Sequence, residues 1–306
     1  MASSLRELRE RRDSVAATKK ITRAMELIAA SRIVKAQQIA RNAMPYTRAL
    51  TNAVSALATD TDIEHPLLVD QQPARRSAML LITGDRGLAG AYSSNVIKVA
   101  EQLYTHLVDE EGQECVQYIT GNKGVAYFDF RRRAVEDSWT GFSDSPEPHH
   151  AREIAKVLID RFLLPYEEGG VDQLHIVSTR FVSMLTQTAT AVRLLPLVVE
   201  DEEEGAEPPP DADVLPFYAF EPTPEAVLDE ILPMYVANRI YTALLQSSAS
   251  ELASRQRAMK AATDNAQDLI ERLTREANQA RQAEITQEIS EITGGAAALA
   301  ESAGNE

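Results

Sequence analysis

The residues that could do chemistry lie in a glycine-rich turn, a histidine pair and one cysteine. The turn, Thr83–Gly90, follows a predicted strand and precedes a predicted helix, where backbone N–H groups can bind phosphate. Its sequence, TGDRGLAG, matches neither GxGxxG nor GxxxxGK[ST], and no lysine is placed to reach a phosphate. We therefore expect a structural turn, with nucleotide binding as the alternative.

The histidines and the cysteine also lack the surroundings that a reactive site needs. His149 and His150 could bind a metal ion, but no spaced cysteine or carboxylate accompanies them, and a solvated loop is expected. Cys115 begins an apolar run and is expected to be a small buried residue. A single cysteine also excludes an internal disulfide and a multi-cysteine zinc site. The sequence thus predicts neither an active site nor a cofactor.

The middle of the chain has the pattern of an α/β domain. Short apolar runs predict strands at 78–83, 115–120, 172–181 and 190–199. Helices are predicted at 94–110 and 148–164. Strands and helices alternate first and strands follow, which predicts a Rossmann-like domain with a mostly parallel sheet and an antiparallel addition. The acidic, proline-rich segment 200–213 is expected to be a solvated loop, and 214–224 an edge strand.

Both ends of the chain predict unusually long helices. Residues 1–44 and 234–293 contain no glycine or proline, and apolar residues in both recur at steps of three and four. This spacing favours a coiled coil, with two ordinary amphipathic core helices as the alternative. We predict an N-terminal coiled-coil helix over 1–60, an α/β domain over 61–224, and a C-terminal coiled-coil helix with a tip over 225–306.

Charge distinguishes these three parts. The 306 residues carry a net charge of −15, which argues against nucleic-acid binding. Residues 1–50 hold 11 basic and 4 acidic side chains, whereas residues 225–306 hold 7 and 13. A basic first helix and an acidic last helix favour antiparallel pairing. No apolar run reaches the ~18 residues that a membrane span needs, and the start lacks the apolar core of a secretory signal, so we expect a cytosolic chain.

The breaker-free segments also predict how the two helices align. If their ends at Met44 and Met234 meet, opposed residue numbers add to 278. Met25 would then face Ala253, Arg12 would lie near two tail aspartates, and Glu26 would lie near Arg255. About 25 residues of the tail would extend past the pair, and a lone helix of that length is unstable in water. The tip, with its isoleucines and AAALA run, would therefore need a partner to surround it.

Four segments resemble the γ subunits of bacterial F-type ATP synthases. They are KKITRAMELIAASR (19–32), GDRGLAGAYSSN (84–95), RAMKAATDNAQDLIERL (257–273) and RQAEITQEISEITGGAAALAES (281–302). The similarity extends along the whole chain. Two departures occur in the turn, where Gly84 replaces a common serine and Ala89 replaces a common cysteine.

The resemblance implies a non-catalytic rotor in the central stalk of a proton-translocating ATP synthase. The helix pair would stand inside a ring of three α and three β subunits, and the α/β domain would contact the ε subunit and the c-subunit ring. Proton flow would turn the chain and drive ATP synthesis at the β subunits. The complex would place it peripherally, at the cytoplasmic face of the bacterial plasma membrane, with no role for nucleic acid.

The resemblance also implies which residues contact partners. They are Lys19, Lys20, Arg23, Met25, Arg32, Arg255, Arg281, Gln282, Ile285, Thr286, Glu288, Ile289 and Ile292. For any one of them, a solvated helix face or a salt bridge within the pair is an equal alternative. Two other functions stay open: a coiled-coil scaffold or adaptor with a non-catalytic α/β domain, and an α/β enzyme with a helical dimerisation arm.

Overall fold

Two long helices begin and end the chain, as the sequence predicted. The computed structural model describes residues 2–60, 65–68, 73–197, 221 and 223–303. Helix α1 spans Ala2–Asp60 and the last helix, α5, spans Pro224–Ala303. Pro45 and Pro233 lie inside these helices, so the ends of the breaker-free segments, at residues 44 and 234, do not mark where the helices end. A proline inside a helix costs ~3 kcal/mol, but buried apolar residues on both sides of each proline hold these helices together.

A five-stranded sheet forms the middle of the chain. Its strands are β1 (Arg76–Ile82), β2 (Glu114–Thr120), β3 (Asp137–Trp139), β4 (Gln173–Phe181) and β5 (Gln187–Leu195). The order is β3-β2-β1-β4-β5. All neighbours are parallel except β4 and β5, which are antiparallel. The predicted mostly parallel sheet with an antiparallel addition is confirmed.

The shorter helices include one that the sequence analysis did not predict. Helix α2 spans Tyr92–Thr105 and continues as one π-helical turn, His106–Glu110, and α4 spans Pro148–Leu163. Helix α3, Asn122–Phe130, was missed, as was strand β3 after it. The segment 200–213 and the first residues of the expected edge strand at 214–224 lie outside the described residues, and α5 begins at Pro224.

Helices cover both faces of the sheet. On one face, side chains of β1 and β4 pack with α4, the end of α1 and the start of α5; Leu80, Leu158, Leu174 and Leu232 are fully buried there. On the other face, Met79, Val96 and Phe128 belong to a smaller core with α2 and α3. This double covering explains why the strands are continuous apolar runs.

The chain forms two compact units. One consists of Met1–Ile28 with Gln256–Glu306, and the other of Ala29–Arg255. In the first unit the two helix segments pair, and the Thr22 and Thr263 hydroxyls lie 2.8 Å apart. In the second unit, the Asn238 amide donates to the Thr47 hydroxyl at 3.1 Å.

These contacts correct the predicted alignment of the helices. Thr22 and Thr263 add to 285, as do Thr47 and Asn238. The predicted value of 278 is therefore wrong by seven residues, about two helical turns. It assumed that the breaker-free segments meet at Met44 and Met234, whereas the observed helix ends, Asp60 and Pro224, add to 284.

The predicted charge pairs also differ from the observed ones. Arg12 pairs with its neighbour Asp13 at 2.8 Å, and Glu26 pairs with Arg23 at 2.8 Å. Both ion pairs join residues of the same helix, as expected once the alignment shifts by two turns.

Candidate partner-contact surface

The buried interface between the two helix segments of the first unit, here called the seam, ends well before the end of α5. Its buried residues on α5 are Met259, Thr263, Ala266, Leu273 and Ala277. Among residues 278–296, whose side chains are described, none is buried. With the observed alignment, the start of α1 at Ala2 lies opposite position 283, so α5 continues past its partner helix.

An apolar stripe lies on this uncovered part of α5. Ile285, Ile289 and Ile292 are 44%, 56% and 71% exposed, and they recur at steps of four and three. Steps of three and four place them on one side of the helix. We call these three residues the apolar tip. The structure therefore leaves uncovered the same isoleucines that the sequence analysis expected to need a partner.

Polar side chains surround the apolar tip. Arg281, Gln282, Thr286 and Glu288 are all exposed. The Thr286 hydroxyl donates to the backbone carbonyl of Gln282 at 2.9 Å, inside the helix. The other three side chains present a cation, an amide and a carboxylate beside the isoleucines, which suits a partner surface that is polar at its rim.

The candidate residues on α1 differ in their exposure and in their contacts within the chain. Lys20 is exposed, whereas Lys19 donates to the Gln267 side chain and Met25 is half-buried. Arg23 is exposed and is held by Glu26. The structure brings Lys19 and Arg23 into contacts within the unit while leaving their cationic ends near the surface.

In the second unit, Arg32 and Arg255 belong to an internal network. Arg32 pairs with Asp144. Arg255 is 8% exposed and pairs with Glu251 at 2.6 Å, and it also donates to two carbonyl oxygens of the glycine-rich turn at 3.4 Å. These contacts supply Arg255 with partners inside the chain, and its contact with another subunit stays a prediction.

Glu251 is the residue that sequence reasoning missed. Its side chain is 1% exposed; burial raises the pKa of the carboxyl, and Arg255 and Ser143 offset part of that rise. A Cβ on Gly84 would lie 3.0 Å from the Glu251 Cδ atom, so the turn passes directly under this carboxylate. Gly84 was the available signal, because it departs from the family serine.

The turn contributes a carboxylate, Asp85, that backbone N–H groups of two other segments bind. Asp85 accepts hydrogen bonds from the backbone N–H groups of Asn122, Gly141 and Ser143 at 2.8–3.0 Å. Burial raises the pKa of Asp85, but these three donors outweigh it and lower the pKa overall. Since Asn122 begins α3, Asp85 places an anion at the N-terminus of that helix and connects the turn to two other segments, which favours a structural role for the turn.

The remaining candidates have structural surroundings. Burial raises the pKa of the half-buried Cys115 thiol to about 12. His149 and His150 lie in the first turn of α4, within the helix predicted at 148–164 and not in the solvated loop that was also expected for them, and the His150 ring stacks on Phe142. No group of three His, Cys, Asp or Glu side chains suited to a metal ion occurs among the described residues. Within the same residues, no helix is both long and apolar enough to cross a bilayer.

Known proteins are similar to this chain in sequence and in fold. The sequence model of the ATP synthase family matches residues 4–299. An ATP synthase gamma chain of Cutibacterium acnes is 61% identical, with all of both chains aligned, and one of Thermobifida fusca is 54% identical with the same coverage.

Solved structures are similar in fold. A chain of the Euglena gracilis mitochondrial ATP synthase rotor matches with a TM-score of 0.60 at 16% identity, covering 93% of this chain and all of that one. A chain of the Tetrahymena thermophila central stalk and c-ring matches with a TM-score of 0.55 at 22% identity, covering 79% and 99%.

The paired terminal helices and the central sheet thus have the fold of ATP synthase central-stalk subunits. With the matches to bacterial gamma chains along its whole length, the chain belongs to the ATP synthase gamma-chain family.

Proposed function

We propose that this chain is the rotating central stalk of a bacterial ATP synthase. It couples proton flow through the membrane sector to ATP synthesis at catalytic sites on the β subunits. The observation that supports this role best is the apolar tip. Three isoleucines lie on one side of a helix, and each is at least 44% exposed. Their side chains stabilise the protein fully only when a surrounding partner removes them from water.

We further propose that the chain contributes no catalytic group to this reaction. The Asp85 carboxylate of the turn that follows β1 accepts hydrogen bonds from three backbone N–H groups outside the turn, and Arg255 is held by Glu251. These contacts support a mechanical role, in which the chain transmits rotation while nucleotides bind elsewhere in the complex.

The proposed partners are three α and three β subunits around the helix pair, the ε subunit and the c-subunit ring. The chain would be peripheral, at the cytoplasmic face of the plasma membrane. The exposed cations Lys20 and Arg23 suit acidic segments of the catalytic ring.

Co-purification from detergent-solubilised membranes tests the assignment. An affinity-tagged chain, expressed in a bacterium lacking its own gamma chain, should recover α, β, ε and c in fixed stoichiometry, and the membranes should synthesise ATP. Recovery of a self-associated chain without these subunits would favour the coiled-coil adaptor instead.

A further inference from the structure

An ionic cluster ties both long helices to the same edge of the sheet. Asp144, in the loop after β3, pairs with Arg32 of α1 and lies 3.8 Å from a guanidinium nitrogen of Arg86. Arg255 of α5 pairs with Glu251 and donates to the backbone carbonyls of residues 86 and 87. We call these five side chains the ionic collar. Each long helix therefore has a charged attachment to the segments that follow β1 and β3.

Apolar packing beside the ionic collar is shallow. The helices meet there through a small cluster that contains Ile33, Ala36, Ala249, Leu252 and Ala253. Three of these five side chains are alanines, which form low ridges and shallow grooves, so they resist rotation of one helix against another weakly. Directional contacts are needed here if the helices are to keep one orientation.

The ionic collar supplies directional contacts, and two of its five side chains lie in a buried setting. Glu251 and Arg255 have side chains only 1% and 10% exposed. A buried ion pair adds little net stability compared with apolar residues of similar volume, but breaking it is costly. Both residues belong to α5, so their pair fixes the two side chains, and the hydrogen bonds of Arg255 to the carbonyls of residues 86 and 87 connect α5 to the turn. Gly84 strengthens the constraint, because the absence of a side chain lets the carboxylate sit directly on the turn.

We propose that the ionic collar sets the torsional stiffness with which the sheet domain turns together with α1 and α5. Asp144 and Arg255 are its positioning residues. The proposal rests on the rotor function, because stiffness matters only in a chain that transmits torque. The main core holds the end of α1 and the start of α5 against the sheet, but beyond it the packing is shallow, so without the collar torque from the sheet domain would twist the two helices there before it reached the catalytic ring.

Single-molecule fluctuation measurements test this proposal in the assembled complex. The chain, in a Cys115→Ala background, is biotinylated at a Lys98→Cys substitution on exposed α2, assembled with α and β subunits, and fixed to a surface through β. The angular variance of an attached bead, recorded while a non-hydrolysable nucleotide holds the ring, is inversely proportional to torsional stiffness. Asp144→Asn and Arg255→Met should both broaden the angular distribution.

A matched control separates stiffness from general stability. Glu101→Gln removes a pair of similar exposure, in which Arg133 and Glu101 lie 2.9 Å apart on the opposite face of the sheet. This variant should lower the unfolding temperature about as much as Asp144→Asn while leaving the bead variance at the wild-type value.

The results distinguish failure of the collar proposal from failure of the rotor function. Wild-type variance in Asp144→Asn, or equal broadening in Glu101→Gln, would overturn the ionic collar. If Arg255→Met fails to assemble, the result for Asp144→Asn is sufficient by itself. The Asp144 side chain is 18% exposed, and its replacement leaves no buried charge unpaired. Failure of the wild-type chain to assemble or to rotate with ATP would instead refute the rotor function, and the collar proposal with it.

Discussion

An aspartate at the apolar tip should affect assembly and leave folding almost unchanged. Burying an isoleucine completely is worth ~1.5–3 kcal/mol. Ile289 is 56% exposed, so covering the remainder in a complex is worth about 1–1.5 kcal/mol. Ile289→Asp forfeits that gain and places a carboxylate in an apolar sleeve, and the total of about 3 kcal/mol or more corresponds to roughly 100-fold weaker assembly. In the free chain the same substitution is solvated and should cost less than ~0.5 kcal/mol.

Leu273→Asp provides the contrast, because Leu273 belongs to the same helix and is 1% exposed within the seam. It should destabilise the free chain by about 3–5 kcal/mol. Thermal unfolding followed by circular dichroism measures the stability of each free chain. Titration of a fluorescent α/β ring with each chain measures the affinity of assembly. The reasoning fails if Ile289→Asp lowers the unfolding temperature as much as Leu273→Asp does, or if it assembles with wild-type affinity.

Three further predictions follow from the second unit and the helix alignment. In a Cys115→Ala background, Thr22→Cys should form a disulfide with Thr263→Cys and not with Gln256→Cys, the position opposite in the sequence-based alignment; non-reducing electrophoresis distinguishes them. Gly84→Ala should destabilise the chain by ~1–3 kcal/mol in urea unfolding because its methyl group would meet Glu251 at 3.0 Å, whereas at Gly87 the nearest atom is 3.7 Å away and the cost should be small. Burial, with Arg193 nearby, lowers the pKa of His175 to about 4. Its unfolded pKa is about 6.5, so the free energy of unfolding should fall by up to ~3 kcal/mol as the pH drops from 6.5 to 4. His175→Gln should flatten that fall, and an unchanged slope would refute the assignment.

The sequence predicted the sheet well because its central strands, β1 and β4, are covered on both faces. Four apolar runs, bounded by glycines or charged residues, correspond to β1, β2, β4 and β5. Helix α3 was missed because it begins within the sequence Gly121-Asn-Lys-Gly124, whose two glycines are typical of a turn. Gly121 and Gly124 are there for close packing: a Cβ on Gly121 would lie 2.3 Å from the Thr83 carbonyl oxygen, and one on Gly124 would lie 2.7 Å from Ile119. A glycine required by a neighbour is indistinguishable in sequence from one that ends a helix.

Some features of the candidate surface could also be predicted from the sequence, and others could not. The apolar tip could be predicted, because its exposure depends on periodicity and helix length, both of which the sequence contains. The surroundings of Arg255 could not, because Glu251 meets Gly84 across 167 positions of the chain. Prolines caused the error in alignment: Pro45 and Pro233 signal helix ends locally, and only packing with the rest of the chain shows that the helices continue.

The contacts of Thr22 with Thr263 and of Thr47 with Asn238 restrict how this chain can change length during evolution. Thr47 lies 25 positions after Thr22 on α1, and Thr263 lies 25 positions after Asn238 on α5. A single insertion between Thr22 and Thr47 would rotate one contact by about 100° relative to the other and leave hydroxyl groups facing apolar neighbours. An insertion in one helix is therefore tolerated only with an equal one in the other. Homologous chains should vary in size within their loops, while these two intervals gain or lose residues together.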